Sequence, residues 1–341
     1  MKDIVRVAVD AMGGDNAPVE IVKGAVEAVN ECSDVMVYLV GQEEIVKNEL
    51  AKYEYPAERV EIVNATEIIE TAEPPVRAIQ YKKDSSLVVA MKKVKNGECD
   101  AFVGAGSTGA TLVGGQVLVG KIKGVERTPL APLIPTVNGQ SLLLDCGANV
   151  DARSSHLVQF AKMGTIYMRD VMGVNNPKVG ILNIGAEEDK GNALVKETFP
   201  LLKNCPDINF YGSIEARDVP LGLVDIVVCE AFAGNVLLKT YEGVGGALMS
   251  EMKKAMTSTL RSRIGALLVK PALKTGLKRF TVSDHGGAPL LGCKGLVVKT
   301  HGSSTAIEIK NSILQCITFT KQNIPAKIQE MINNTDEIIE D

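Results

Sequence analysis

Short runs of β-branched and other apolar residues alternate along this chain with longer stretches whose apolar positions recur at helical spacing. That alternation is the pattern of an α/β protein with a mainly parallel sheet. Residues 4–9, 35–40, 60–63 and 101–103 read as strands, with helices at 43–51 and 76–95. After the first strand, Asn16 offers an N-cap and Pro18 suits the opening turn of a helix running to about residue 30. The segment 128–137 holds prolines at 129, 132 and 135, so it cannot be an ordinary central strand and suits a crossover between domains. A second series follows, with strands at 141–144, 179–183, 208–211 and 225–229 and helices at 155–169 and 192–203. A long helix is expected over 235–269 with Pro271 beyond it, then a strand at 296–299 and two closing helices.

At 341 residues the chain suits about two domains, serial or interleaved, and a core that needs no metal or disulfide staple. A hydrophobic content of 45% excludes disorder, and a net charge of −4 excludes a basic nucleic-acid module. Cysteines at 32, 99, 146, 205, 229, 293 and 316 form no C-x-x-C, and the histidines (156, 285, 301) are scattered. Neither a disulfide framework nor a metal site is expected. The first residues pass straight into a strand without a signal peptide, and no apolar run reaches the ~18 residues of a membrane span. A cytoplasmic protein is expected.

Chemistry collects where the buried strands end. Asp10, Gly13, Gly14 and Asp15 follow the first strand, and Gly104-Ala105-Gly106-Ser107-Thr108-Gly109 follows 101–103. Further on stand Asp145-Cys146-Gly147-Ala148-Asn149, the loop from Asn183 and Gly185 to Asn192, and Glu230–Asn235. The last pair is His285-Gly286-Gly287 and His301-Gly302-Ser303-Ser304. Ligands of open α/β sheets bind outside the carboxyl ends of the strands, so seven such loops predict a spacious site there.

Gly104–Gly109 fits G-x-G-x-x-G, but Glu126, at the right distance for a ribose-binding carboxylate, does not end a strand. That argues against a dinucleotide and for a phosphate held by Gly106, Ser107, Thr108 and Gly109 at a helix N-terminus. Cations for the same anion are Arg127, Lys190, Arg217, Lys239 and Lys294, with Lys190 favoured because glycines bound its loop. Proton-transfer candidates are Asp10, Asp145, Glu187, Glu188, His285 and His301. Cys146 stands at a strand end as a candidate nucleophile, although a small buried hydrophobe is the commoner role.

Charge is unevenly spread. Eight of the 37 Lys and Arg fall between residues 252 and 283, where no Asp or Glu occurs, leaving 29 cations against 41 anions elsewhere. Within that island Met256, Leu260, Ile264 and Leu267 form a helical stripe, with Lys254 and Arg261 opposite and Lys253, Arg263 and Lys270 nearby. Such a segment suits an anionic membrane, a dimer partner or an acidic protein.

These stretches resemble, along nearly the whole chain, the PlsX family of phosphate acyltransferases (acyl-ACP:phosphate acyltransferase). The likeness is carried by Ala8–Asp15, Gly104–Ala110, Asp145–Asn149, Asn183–Gly185, Phe232–Asn235 and Gly287–Gly292 with His301–Ser304. Departures are Glu230-Ala231, where the family usually has Asp-Gly, and Thr305, where Asp or Asn is frequent.

The resemblance implies a three-layer, isocitrate/isopropylmalate-dehydrogenase-like α/β/α fold in a homodimer. One domain would comprise 1–127 with 285–341; the other, 128–284, would carry a protruding basic segment at about 250–280. Acylated acyl carrier protein and inorganic phosphate would give acyl phosphate for phospholipid synthesis, without a cofactor, at the inner face of the membrane. The residues themselves suit direct attack: a cation such as Lys190 and the Ser107–Gly109 amides would hold phosphate, backbone N–H groups or Asn235 would stabilise the oxyanion, and Asp10 or His285 would only orient the nucleophile. Rival readings are a phosphotransacetylase using acyl-CoA, a decarboxylating dehydrogenase, and a non-catalytic scaffold that binds the carrier protein or a membrane.

Overall fold

The computed structural model describes residues 4–277 and 286–339. The chain opens β1 (Val5–Asp10), α1 (Val19–Glu31), β2 (Val35–Gly41), α2 (Glu43–Leu50), β3 (Val60–Asn64), α3 (Pro75–Tyr81), α4 (Ser86–Lys95), β4 (Ala101–Gly104), α5 (Thr108–Gly114). Next come β5 (Leu133–Thr136), β6 (Gly139–Leu144), α6 (Ser154–Asp170), β7 (Lys178–Asn183), α7 (Ala193–Lys203), β8 (Asn209–Glu215), β9 (Ile226–Val228), α8 (Ala231–Thr257) and α9 (Leu260–Leu277). It closes with β10 (Ala288–Pro289), β11 (Leu296–Lys299), α10 (Ala306–Lys321) and α11 (Ile324–Ile339).

Two sheets form, ordered β10-β11-β4-β1-β2-β3 and β5-β6-β9-β7-β8. All pairs are parallel except β10–β11 and β5–β6. The inner strands are apolar because both faces are covered: every residue of β4, β9 and β11 is buried. In the first sheet β2 and β3 lie to one side of β1, while β4 and β11 lie to the other. Connections leaving β1 and β4 therefore diverge, which puts the sheet's switch point, the place where such folds form their ligand crevice, at their carboxyl ends.

The proline-rich crossover stitches the sheets together. Leu130 bridges Leu290, Ala131 N–H donates to the Pro289 carbonyl (3.0 Å), and Cys146 N–H donates to the Leu130 carbonyl (3.3 Å). Pro135 is tolerated because β5 is an edge strand. One apolar cluster runs through both sheets, from Val7 and Val103 to Leu142 and Ile226.

Several expectations are corrected. The helix expected over 76–95 breaks at Ser85, whose hydroxyl caps α4 by accepting from Val88 N–H (3.4 Å). The one expected over 235–269 is a hairpin: Thr259 and Ser262 bond reciprocally and start α9, which runs past Pro271. Asn16 does not cap α1. Its amide instead donates to the carbonyls of Ser303 (3.0 Å) and Ser304 (3.3 Å), tying the β1 and β11 loops together.

The hairpin stands off the body. In α8 only Ala231 and Gly234 are buried, and Tyr241 tethers it through its hydroxyl to the Pro135 carbonyl (2.6 Å). Beyond it Val244, Leu248, Leu260, Ile264, Leu267 and Leu268 are exposed. The apolar stripe foreseen in the basic island thus faces outward, with Lys253, Lys254, Arg261, Arg263 and Lys270 exposed around it.

Candidate active site at the first sheet's crevice

Asp10 ends β1 with its carboxyl buried beneath the crevice and accepts from Met12 N–H (3.3 Å). Burial pushes its pKa up, against hydrogen bonds from Ser86, Met12 and Gly13 and the charge of Lys299. The chain then turns through Gly13 and Gly14, close against the loop after β4. A Cβ on Gly13 would lie 3.0 Å from Gly106 Cα, so two backbones meet where no side chain fits. Gly14 has φ +108°, and Asp15 N–H donates to the Gly302 carbonyl (2.8 Å).

Ser107 caps α5, its hydroxyl accepting from Ala110 N–H (3.3 Å), while Thr108 is exposed and Gly109 packs on Pro75. From β11 come Lys299 and the loop of His301, whose exposed imidazole bonds Ser303 (2.8 Å). Gly287 lies against the Lys299 backbone. The fold thus brings together Asp10, Gly13, Gly14, Asp15, Gly106, Ser107, Thr108, Gly109, Gly287 and His301.

Lys299 was not among the expected residues. Its side chain is 8% exposed, and its ammonium reaches the carbonyls of Ala105 (3.2 Å) and Thr300. Burial pushes its pKa down to about 8, with Asp10 and Asp15 opposing. The available signal was a lone Lys closing the apolar run 296–298.

Asp145 and Asn149 organise the second sheet. The buried Asp145 carboxylate accepts from the backbones of Leu130 (2.9 Å), Gly147 (3.1 Å), Ala148 (3.2 Å) and Asn149 (2.7 Å), and from the Asn149 amide (2.8 Å). Burial raises its pKa, and those donors oppose the rise. Five bonds commit both oxygens to holding the loop, so Asp145 is a fastening rather than a proton carrier. Glu230 caps α8 by accepting from Phe232 (2.5 Å) and Ala233 (2.8 Å) N–H. Asn235 follows half-buried, with its amide uncommitted among the described residues.

The remaining candidates are dispersed. Asn183 holds its own loop by donating to the Lys190 carbonyl (3.2 Å) and Ser213 (3.0 Å), with Gly185 half-buried within that loop. The Lys190 side chain is exposed there and makes no ion pair among the described residues. Arg127 lines a separate cavity of about 560 Å³ with Glu126, Asp151, Arg153 and His156. His285 lies outside the described residues.

A family model described as "Fatty acid synthesis protein" matches residues 5–327. The chain is 49% identical over 328 residues to a putative phosphate acyltransferase of Clostridium perfringens, covering 96% of this chain and 97% of that one. The chain belongs to the phosphate acyltransferase family. A phosphate acyltransferase of Clostridium botulinum (strain Loch Maree) is 47% identical over 334 residues, with 98% of each chain covered.

Among solved structures, a phosphotransacetylase from Streptococcus pyogenes matches with TM-score 0.63 and 16% identity, covering 93% of this chain and 94% of that one. EutD phosphotransacetylase from Staphylococcus aureus gives 0.59 at 16% identity, covering 94% of this chain and 95% of that one. These likenesses establish the α/β fold. Membership of the phosphate acyltransferase family makes the chain an acyltransferase, of the class that moves acyl groups to phosphate.

Cys146 is no nucleophile in this setting. Burial raises its thiol pKa well above 9, and the charges of Asp145 and Glu242 add to the rise. Cys146→Ala should keep kcat/KM within about twofold of the parent at a stability cost near 1 kcal/mol. A loss of 100-fold or more in steady-state assays would restore the covalent route.

Proposed function

We propose that the chain transfers a long-chain fatty acyl group from acyl carrier protein to inorganic phosphate, producing acyl phosphate for phospholipid synthesis. The observation that carries this reading is the crevice itself. Backbone and the α5 N-terminus line it where Gly13 and Gly106 leave no room for side chains. Backbone N–H donors suit a small tetrahedral anion.

A phosphate oxygen attacks the thioester carbonyl, an O–C bond forms, and the C–S bond breaks to release the carrier's thiolate. Positioning and oxyanion stabilisation dominate such a step, because phosphate is already nucleophilic near neutral pH. Asn235, whose amide is uncommitted among the described residues, is the side-chain donor for the oxyanion.

The hairpin supports the choice of carrier. Its exposed cations meet an acidic carrier protein or an anionic inner membrane face, while its apolar stripe suits a lipid surface or a second copy of the chain. Reversing Lys254, Arg261 and Arg263 to Glu is expected to weaken vesicle binding or raise KM for acyl carrier protein about tenfold, with the gap closing as salt rises. Unchanged vesicle binding and KM would make the island a solvated face only.

The donor is tested by comparing kcat/KM for palmitoyl carrier protein and palmitoyl-CoA at saturating phosphate. The carrier-linked donor should be preferred. The reverse order would make the chain a phosphotransacetylase-type enzyme.

A further inference from the structure

We propose that Lys299 is the cation that recognises the phosphate acceptor in the crevice, and that it takes up a proton when the dianion binds. This rests on the reading of the crevice as the phosphate site.

Lys299 ends β11, paired with Gly104 on β4 and Ala288 on β10, so three strands fix its position. Among the described residues its nitrogen meets two acceptors, the carbonyls of Ala105 and Thr300. A neutral amine has two N–H bonds, and these two carbonyls accept both. An ammonium has three N–H bonds, and the third needs an acceptor. A phosphate cradled by the Gly106–Gly109 turn supplies that acceptor and a compensating charge.

Among the described residues two carboxylates face the amine. Asp10 comes from β1 and is itself pushed toward its neutral form by burial; Asp15 comes from the next loop and is exposed. His301, two residues on, is exposed and bonded to Ser303. Burial sets the amine's pKa at about 8, so it changes charge within the working range of an enzyme. Lys190, exposed on the other sheet's loop, has no such coupling to the Ala105 and Thr300 carbonyls.

The sign of the pH dependence follows. The binding form is protonated, so affinity for the dianion is full below about pH 8 and falls as pH rises through that value. KM for phosphate should be flat on the acid side, after allowing for phosphate's own titration. Above pH 8 it should climb about tenfold per unit.

The test is titration calorimetry of the whole protein with inorganic phosphate, and with sulfate, at about pH 8.5 in two buffers of different protonation enthalpy. Sulfate has no proton to exchange there, so any uptake belongs to the protein. The expected result is uptake of between one-half and about one proton per dianion. Lys299→Arg should bind both anions with no uptake and a KM independent of pH to about 9.5. Lys299→Met should raise KM for phosphate about 100-fold while kcat at saturation moves far less.

Wild-type binding without proton uptake would overturn the proposal, as would uptake that persists in Lys299→Arg. If neither anion binds the wild type, the phosphate reading of the crevice fails and this assignment falls with it.

Discussion

Gly234→Ala is expected to destabilise the protein by about 3–5 kcal/mol and to lower Tm by roughly 4–7 °C, read by calorimetry. The first turn of α8 runs directly over the Asp145 loop. A Cβ at position 234 would fall on the Asp145 carbonyl oxygen and sit 2.9 Å from Cys229 Sγ. Both obstacles are fixed. The carbonyl belongs to a loop held by five bonds to its own carboxylate, and the thiol is buried at the end of β9.

Relief requires α8 to lift, which breaks the Ala231 N–H bond to the Asn149 carbonyl (3.0 Å) at about 1 kcal/mol beyond the steric cost. The control lies on the same helix. At Gly243 an added methyl would meet nothing within 4 Å, so Gly243→Ala should stabilise by up to about 1 kcal/mol through helix propensity. Equal effects at the two positions would mean that the α8 contact does not set the cost.

Gly13→Ala should act on turnover rather than on the fold. The added methyl would press on the buried Asp10 carboxyl and on Gly106 Cα and N, each 3.0 Å away. The β1 and β4 loops would separate by a fraction of an ångström to an ångström. A loss of about 100-fold in kcat/KM is expected for that displacement, with stability reduced by about 1–3 kcal/mol. Wild-type kcat/KM in a correctly folded Gly13→Ala protein would show that the acceptor does not bind between these loops.

The loops of the crevice were legible because each follows a buried apolar run, and a turn there demands glycine or a capping side chain. Asp10, Ser107 and His301 could be named from that pattern alone. Lys299 could not, since a lysine after Val297-Val298 reads equally well as the chain's exit into solvent. Its burial is imposed by Ala105 and Asp10, nearly 200 and 289 residues earlier in the sequence.

Asn16 misled for the same reason: its local spacing suits an N-cap, but Ser303 and Ser304 claim its amide from the far end of the chain. The break between α8 and α9 escapes the pattern because Ser258 and Thr259 do not interrupt an apolar stripe, although the Ser258 hydroxyl closes α8 by donating to the Ala255 carbonyl and the Thr259 hydroxyl starts α9 by accepting from Ser262 N–H. The strand β10 is too short, at two residues, to leave a periodic trace. Charge groups Arg127 with the crevice, and charge plus a glycine-bounded loop groups Lys190 with it; the fold places both on other loops.

The most direct test of the central claim is release of free thiol from palmitoyl carrier protein with and without inorganic phosphate, run on the wild type and on Gly13→Ala. Release by the wild type should depend on phosphate and match acyl phosphate formed one for one, while Gly13→Ala should be about 100-fold slower. Release without phosphate, or binding of the carrier with no release at all, would contradict the account.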